Sequence, residues 1–238
     1  MIGALAVVVP ARDEQHRVLA ALGSVVASIP PRVPACVVLA ADRCRDDTVG
    51  LARRIPGVLV VEGDFGSVGA ARREGVRRAL DALPESSAER IWIANTDADS
   101  VVPPQWLRHQ LDLADAGADL VIGTVRPDFS ELPDAYREHW LATHRRGEPN
   151  GHVHGANLGV RASVYARAGG FAPDAEHEDT RLVDRMLRAG ARMIASDGAE
   201  VVTSGRRLGR TPGGYAGHLR EHVAALDLRG AHERRAGA

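Results

Sequence analysis

Through its first half the chain alternates short, uninterrupted apolar runs rich in β-branched residues with amphipathic stretches, and few folds tolerate that rhythm. Leu5-Ala6-Val7-Val8-Val9, Cys36-Val37-Val38-Leu39, Val58-Leu59-Val60-Val61, Ile91-Trp92-Ile93 and Leu120-Val121-Ile122 have no polar alternation, which is how parallel strands covered on both faces read. Amphipathic segments at 14–28, 47–54, 67–83 and 104–116 separate them as helices, with Pro103-Pro104 suited to the first helical turn. Strand and helix in regular succession imply right-handed crossovers and a mainly parallel, Rossmann-like α/β sheet with helices on both faces. These strands then deliver their carboxyl ends to one edge, where open α/β sheets gather ligands.

After Val125 the rhythm breaks. A helix is expected at 133–145, followed by the Gly- and His-rich stretch Gly151-His152-Val153-His154-Gly155-Ala156-Asn157. A short helix at 163–168 with Gly169-Gly170 after it, and a further helix at 178–189 closed by Gly190, carry the glycine stops of helix C-termini. No Pro/Gly/Ser-rich linker separates the halves, so residues 1–228 read as one domain. Residues 1–125 form a nucleotide-binding half, 126–228 an acceptor-side half, and the polar stretch 229–238 a flexible tail.

Composition removes several chemistries. All 30 basic residues are arginine, so Schiff-base catalysis and a P-loop lysine are both excluded. The formal charge of −1 gives no global attraction to nucleic acid or to an anionic membrane, and partners must be argued from local sites. Cys36 and Cys44 lack metal-knuckle or redox-pair spacing and read as free thiols of a reducing compartment. No stretch reaches the roughly 20 apolar residues of a membrane span, so a soluble, cytoplasmic protein is expected.

The loops leaving the strands are unusually acidic: Pro10-Ala11-Arg12-Asp13-Glu14, Ala40-Ala41-Asp42-Arg43-Cys44, Gly63-Asp64-Phe65-Gly66 and Asn95-Thr96-Asp97-Ala98-Asp99. Two carboxylates at spacing two can share a hard divalent cation, Mg²⁺ or Mn²⁺, whose remaining ligands come from substrate phosphates. The same pair can equally cap a turn before Pro103. Glu178-Asp179, at the start of a helix, has two readings as well: a preference of helix N-termini for negative charge, or a base whose ionised form the dipole favours.

Taken in order, Val7-Val8-Val9-Pro10-Ala11-Arg12-Asp13-Glu14, Asp42-Arg43-Cys44-Arg45-Asp46-Asp47-Thr48, Gly69-Ala70-Ala71-Arg72-Arg73-Glu74-Gly75, Asp97-Ala98-Asp99, Gly155-Ala156-Asn157, Gly169-Gly170-Phe171 and Glu178-Asp179 resemble the motif series of family 2 glycosyltransferases. The resemblance implies a GT-A fold, a nucleotide-diphosphate sugar donor carrying UDP or GDP, a divalent metal, and transfer mostly with inversion. It places Pro10, Ala11, Glu14 and Asp42 at the base and ribose, and Arg72 at the nucleotide or its phosphates. Asp97 falls at ribose or sugar and beside the metal, Asp99 on the metal, and Asp179 of the Glu178-Asp179 pair becomes the general base. In such enzymes a mobile loop closes over the donor. Arg206 or Arg210, in the glycine-interrupted loop after Val201-Val202-Thr203, can then serve the diphosphate in place of a lysine, where the plain alternative is a solvated basic turn.

The sequence departs from the family pattern at Arg12-Asp13, Ala41 and Arg43-Cys44, which leaves uridine and guanosine donors both open, and the acceptor is unassigned. His152 and His154, at spacing two on a possible strand, either contact acceptor or metal or are polar loop residues. A haloacid-dehalogenase-type phosphatase using Asp97 and Asp99 fits the strand-Asp-x-Asp pattern but lacks its lysine. A non-catalytic nucleotide-sugar-binding module is the other alternative.

Overall fold

The computed structural model of the chain describes residues 1–84, 86–149, 151–209 and 214–236. The apolar runs form strands β1 (Ala4–Ala11), β2 (Ala35–Asp42), β3 (Val58–Gly63), β4 (Ile91–Asn95) and β6 (Leu120–Pro127), to which β5 (Ser100–Val101), β7 (Leu158–Arg161) and β8 (Met193–Thr203) are added. They make one eight-stranded sheet in the order β3-β2-β1-β4-β7-β6-β8-β5. β1 pairs in parallel with β2 and β4, β2 with β3, and β6 with β8. β7 runs antiparallel between β4 and β6, so β6 still points the same way as β1 to β4. The result is a mixed, mostly parallel sheet in a single α/β domain.

Helices α1 (Val18–Ala27), α2 (Thr48–Ala52) and α4 (Trp106–Asp115) cover one face, and α3 (Val68–Asp81), α6 (Ala162–Arg167) and α7 (Glu178–Arg188) the other. The division follows from the period-2 geometry of a strand. Leu5, Val7 and Val9 of β1 share a core with Leu22, Leu107 and Trp106, while Ala6 and Val8 share one with Val76, Leu182 and Met186. Helix α5 (Asp134–Thr143) and the last helix α8 (Tyr215–Ala236) lie apart from both. They bury Leu132, Tyr136, Leu219 and Val223 against each other in a small third cluster. Helix α8 continues to Ala236, across the stretch expected as a tail.

Three local readings are corrected. The helix expected from residue 14 begins at Val18, because residues 14–17 close a turn in which Glu14 O accepts from both Arg17 N and Val18 N. The segment carrying His152 and His154 is irregular backbone rather than strand. Strand β7, which the sequence does not announce, is hidden because Gly159 interrupts its apolar pattern. At that position a Cβ would fall 2.3 Å from Gln110 Oε1 and 2.7 Å from the indole nitrogen of Trp92.

Asn157, from the Gly155-Ala156-Asn157 motif, joins the layers. Its Oδ1 accepts from Trp106 Nε1 at 2.9 Å, and its Nδ2 donates to the carbonyls of Thr124 and Ala199, both at 2.9 Å. The residue is buried, so removing the amide strands several polar groups away from water. Asn157→Ala is expected to destabilise the fold by about 2–4 kcal/mol, read as a lower midpoint in urea unfolding with an unchanged slope.

Candidate active site

The carboxyl ends of β1 and β4, the amino ends of α3 and α7, and the loop after β8 surround a cavity of about 1250 Å³. Its floor is organised by Arg72 on α3, a fully buried arginine whose side chain is only 2% exposed. Arg72 Nη2 donates to Asp97 Oδ1 at 2.6 Å, and Nε donates to Glu178 Oε1 at 3.1 Å. Nη1 is buried without a hydrogen-bond partner among the described residues, as are Asn95 Oδ1 and Thr96 Oγ1 at the exit of β4. Helix α3 can place its guanidinium there because Ser67 caps it, accepting from Ala70 N at 3.2 Å, and because residue 155 is a glycine. A Cβ at Gly155 would sit 2.4 Å from Arg72 Nη2.

Asp97 and Asp99 lie in the turn between β4 and β5, and both line the cavity. Asp99 Oδ2 lies 2.9 Å from Arg206 Nη2, and its Oδ1 is within 3.4 Å of both the Ser100 and the Thr203 hydroxyls. Arg206 Nη1 also reaches Glu14, at 2.8 Å to Oε1 and 3.1 Å to Oε2. One guanidinium therefore joins the loops after β1, β4 and β8. The Arg206 loop is fixed by Glu131, whose Oε1 pairs with Arg17 at 2.8 Å and whose Oε2 accepts from Ser204 at 3.2 Å. Only glycine fits at 205, where a Cβ would approach Asp128 O to 2.4 Å.

Asp179 stands in the first turn of α7, lining the cavity. Its Oδ2 accepts from Gly155 N and its Oδ1 from Thr180 N, each at 2.7 Å. Oδ1 also accepts from Thr180 Oγ1 at 3.4 Å, so the second lone pair of Oδ2 is the one with capacity for a further donor. Glu178 turns the other way, into the protein, toward Arg72. The helix begins sharply because His177, its N-cap, adopts the left-handed conformation (φ 60°).

Electrostatics follow from this crowding. Desolvation raises Asp97, Asp99 and Asp179 add to the effect, and Arg72 opposes it. Burial likewise raises Glu178 against the pull of Arg72. For Arg72 and Arg206 burial disfavours the charge, but the carboxylates outweigh it and both are held more firmly protonated than usual. His154 is pushed down to about 4 by burial, with Asp179 working in the opposite direction.

Of the residues expected at a site, Pro10, Ala11, Glu14, Arg72, Asp97, Asp99, Glu178, Asp179 and Arg206 converge on this cavity. Asp42 does not face it: its Oδ1 accepts from Phe65 N at 2.7 Å and Gly66 N at 3.1 Å, which shapes the loop between β3 and α3. Arg210 lies outside the described residues. A group missed from sequence is Asp13, Cys44 and Asp46, whose ligand atoms lie within 4.8 Å of one another. It bridges the loops after β1 and β2, where Asp13 accepts from Arg45 N at 2.6 Å and Asp46 from Gln15 N at 3.0 Å. Burial, with the two neighbouring carboxylates, pushes the Cys44 thiol up, which disfavours the thiolate a metal would need. His139, Trp140, His144, Tyr215, His218 and His222 were also missed. They line the far side of the cavity, brought there by the packing of α5 on α8.

A mixed, mostly parallel sheet with its carboxylates gathered at one edge is the GT-A form of the α/β fold. The sequence model of glycosyl transferase family 2 matches residues 6–167, and the chain belongs to that family. Among solved structures, residues 1–349 of S. aureus TarS in complex with UDP-GlcNAc superpose with a TM-score of 0.66 at 14% identity, covering 94% of this chain and 66% of that one. The mannosyltransferase PcManGT from Pyrobaculum calidifontis, in complex with GDP-Man and Mn²⁺, superposes with a TM-score of 0.63 at 22% identity, covering 88% and 59%. The chain thus spans roughly three-fifths to two-thirds of the length of these proteins. A search of the curated proteins returns no match. Among the described residues no helix is long and apolar enough to cross a membrane. The family match does not favour the phosphatase alternative.

Two expectations test the site. Arg72→Lys keeps one charge but cannot span Asp97 and Glu178, and is expected to lower thermal stability, with Arg72→Ala costing about 3–5 kcal/mol. His154, depressed from 6.5 to about 4, is neutral when folded, so below pH 6.5 the unfolded chain binds the extra proton. Stability is therefore expected to fall as pH drops from 6.5 toward 4, and His154→Gln to flatten that limb in denaturation measured across the range.

Proposed function

We propose that the chain transfers a sugar from a nucleotide-diphosphate sugar to an acceptor hydroxyl, in a metal-dependent reaction with inversion at the anomeric carbon. The observation that carries this reading is the Arg72 bridge. It ties Asp97, after β4, to Glu178 at the start of α7, so that one guanidinium sets a place for a leaving group beside Asp97 and Asp99 against a place for a base at Asp179.

Pro10, Ala11 and Glu14 would receive the nucleoside, with Asp42 acting through the Phe65-Gly66 loop. UDP or GDP is the nucleotide, by analogy with the UDP-GlcNAc and GDP-Man held by the structural neighbours. Asp99 and Asp97 would hold a hard cation, Mg²⁺ or Mn²⁺. The donor set fits: it is all oxygen, and each carboxylate has one oxygen on an arginine and the other free of any strong hydrogen bond among the described residues. When bound, such a cation supplies Lewis-acid stabilisation of the diphosphate as negative charge develops on it.

The chain's own residues do the rest. Arg206, fixed between Glu14 and Asp99, presents guanidinium hydrogens suited to a diphosphate oxygen. Asp179 takes the proton of the acceptor hydroxyl as its oxygen forms a bond to the anomeric carbon and the bond to the diphosphate breaks on the opposite face. Glu178 and Arg72 orient these groups without touching substrate. A cytoplasmic setting belongs to this reading, where the free thiols Cys36 and Cys44 stay reduced.

Calorimetric titration with UDP and with GDP, each with and without Mn²⁺, tests the proposal. Metal-dependent binding of one nucleotide is expected, weakened at least tenfold in Asp99→Asn. Asp179→Asn should lower transfer by about 10²–10⁴-fold with nucleotide affinity unchanged. Binding of neither nucleotide, or binding indifferent to metal, would overturn the reading, and hydrolysis of a generic phosphomonoester would revive the phosphatase.

A further inference from the structure

The far wall of the cavity has a chemistry of its own. Helix α5 turns Tyr136, His139, Trp140 and Thr143 toward the cavity, at spacings of three and four that mark one helical face. From α8 come Tyr215, His218 and His222 on a matching face. The rings are in register with one another. Trp140 stacks on His144 at 4.1 Å with an interplanar angle of 6°. His222 lies 4.1 Å from His218, His218 6.3 Å from Tyr215, Tyr215 6.0 Å from His154, and His154 6.2 Å from His152. The train of rings thus runs from α8 to the loop whose Gly155 N–H holds Asp179.

Charge is distributed unevenly across the cavity. The arginines among its described lining residues are Arg12, Arg72 and Arg206, all on the side of β1, α3 and the loop after β8. None comes from α5 or α8. Burial lowers both His154 and His218, the neighbouring His152 adding to it in each. A neutral imidazole offers one donor and one acceptor, the combination that pairs with hydroxyl groups. An aromatic face carries negative quadrupolar charge, which suits the weakly positive C–H faces of a pyranose. Among the described lining residues a phosphate placed here would meet no arginine from α5 or α8, and it would approach the carboxylates of Glu176 and Asp179.

We propose that this wall is the acceptor subsite and that the acceptor is a neutral saccharide, packed against the Trp140–His144 pair and hydrogen-bonded by the imidazoles, with a hydroxyl presented to Asp179. The inference rests on the transferase reading above and goes further by excluding phosphate-anchored acceptors.

All three tryptophans emit, but Trp92 and Trp106 are fully buried and neither lines the cavity, so a ligand-induced change of emission that is lost in Trp140→Ala is assigned to Trp140. Titration with maltose, cellobiose and methyl mannoside, and in parallel with glucose 1-phosphate and with vesicles containing a polyprenyl phosphate, reads acceptor binding without requiring turnover. A neutral saccharide is expected to change the emission. By calorimetry its affinity should fall at least tenfold in Trp140→Ala and at least threefold in the surface variant His218→Ala, with metal–nucleotide affinity preserved in both. Trp140→Phe, which retains an aromatic face beside Phe129, should recover part of the loss even if the alanine variant folds poorly. Absence of any neutral-saccharide binding, or tighter binding of a phosphorylated probe, would overturn the inference alone if nucleotide binding persists. Saccharide binding without nucleotide binding would overturn the transferase reading and, with it, the acceptor role.

Discussion

One buried guanidinium sets the geometry on which the cavity depends. Arg72 reaches Asp97 at the end of β4 and Glu178 at the start of α7. A buried ion pair is weak evidence of stability, because desolvation consumes much of the Coulomb energy. Its value here is positional: a guanidinium is planar, so two carboxylates bound through different nitrogens are fixed in both distance and direction. The main core could pack around a leucine at this position, but the start of α7 would then lose its tie to Asp97, leaving Asp179 to the bond from Gly155 N.

Charge in the cavity is arranged so that no carboxylate carries only one task. Glu14, Asp97, Asp99, Glu178 and Asp179 crowd one edge of the sheet, and their mutual repulsion is relieved by Arg72 and Arg206. Because Arg206 pairs with Glu14 and Asp99 at once, it couples the loop after β8 to both nucleotide-side loops. The cation proposed at Asp99 would compete for the same negative charge and free guanidinium hydrogens for another oxyanion. Its binding and the attitude of the Arg206 loop would then be linked through a shared partner.

The strands and covering helices of the first half were legible in the sequence because each is a local pattern: a doubly buried parallel strand must be continuously apolar, and its covering helix must be amphipathic. That Asp97, Asp99 and Asp179 reach one cavity was legible for a related reason, since each sits at an element terminus with its own signal. Arg72 was legible as a site residue but not in its role, because its two carboxylate partners are far away in sequence. Asp42 misled for the converse reason. An acidic residue at a strand exit also satisfies backbone amides of the next loop, and the amides of Phe65 and Gly66 claim it. Strand β7 was concealed by Gly159, required by tertiary crowding that no local rule encodes.

The two sides of the cavity also differ in how they are held. The carboxylate-bearing side is built on strand ends that run directly into the two main cores, so its loops are anchored in the sheet. The opposite side rests on α5 and α8, which bury a separate small cluster around Leu132, Tyr136, Leu219 and Val223. Substitutions on the cavity faces of these helices therefore leave the sheet's packing untouched. One fold can in this way keep one wall of a cavity fixed and vary the other. In this chain the second wall sets imidazoles and an indole opposite a bed of carboxylates, and the proposed division between a leaving anion on one side and an acceptor on the other rests on that contrast.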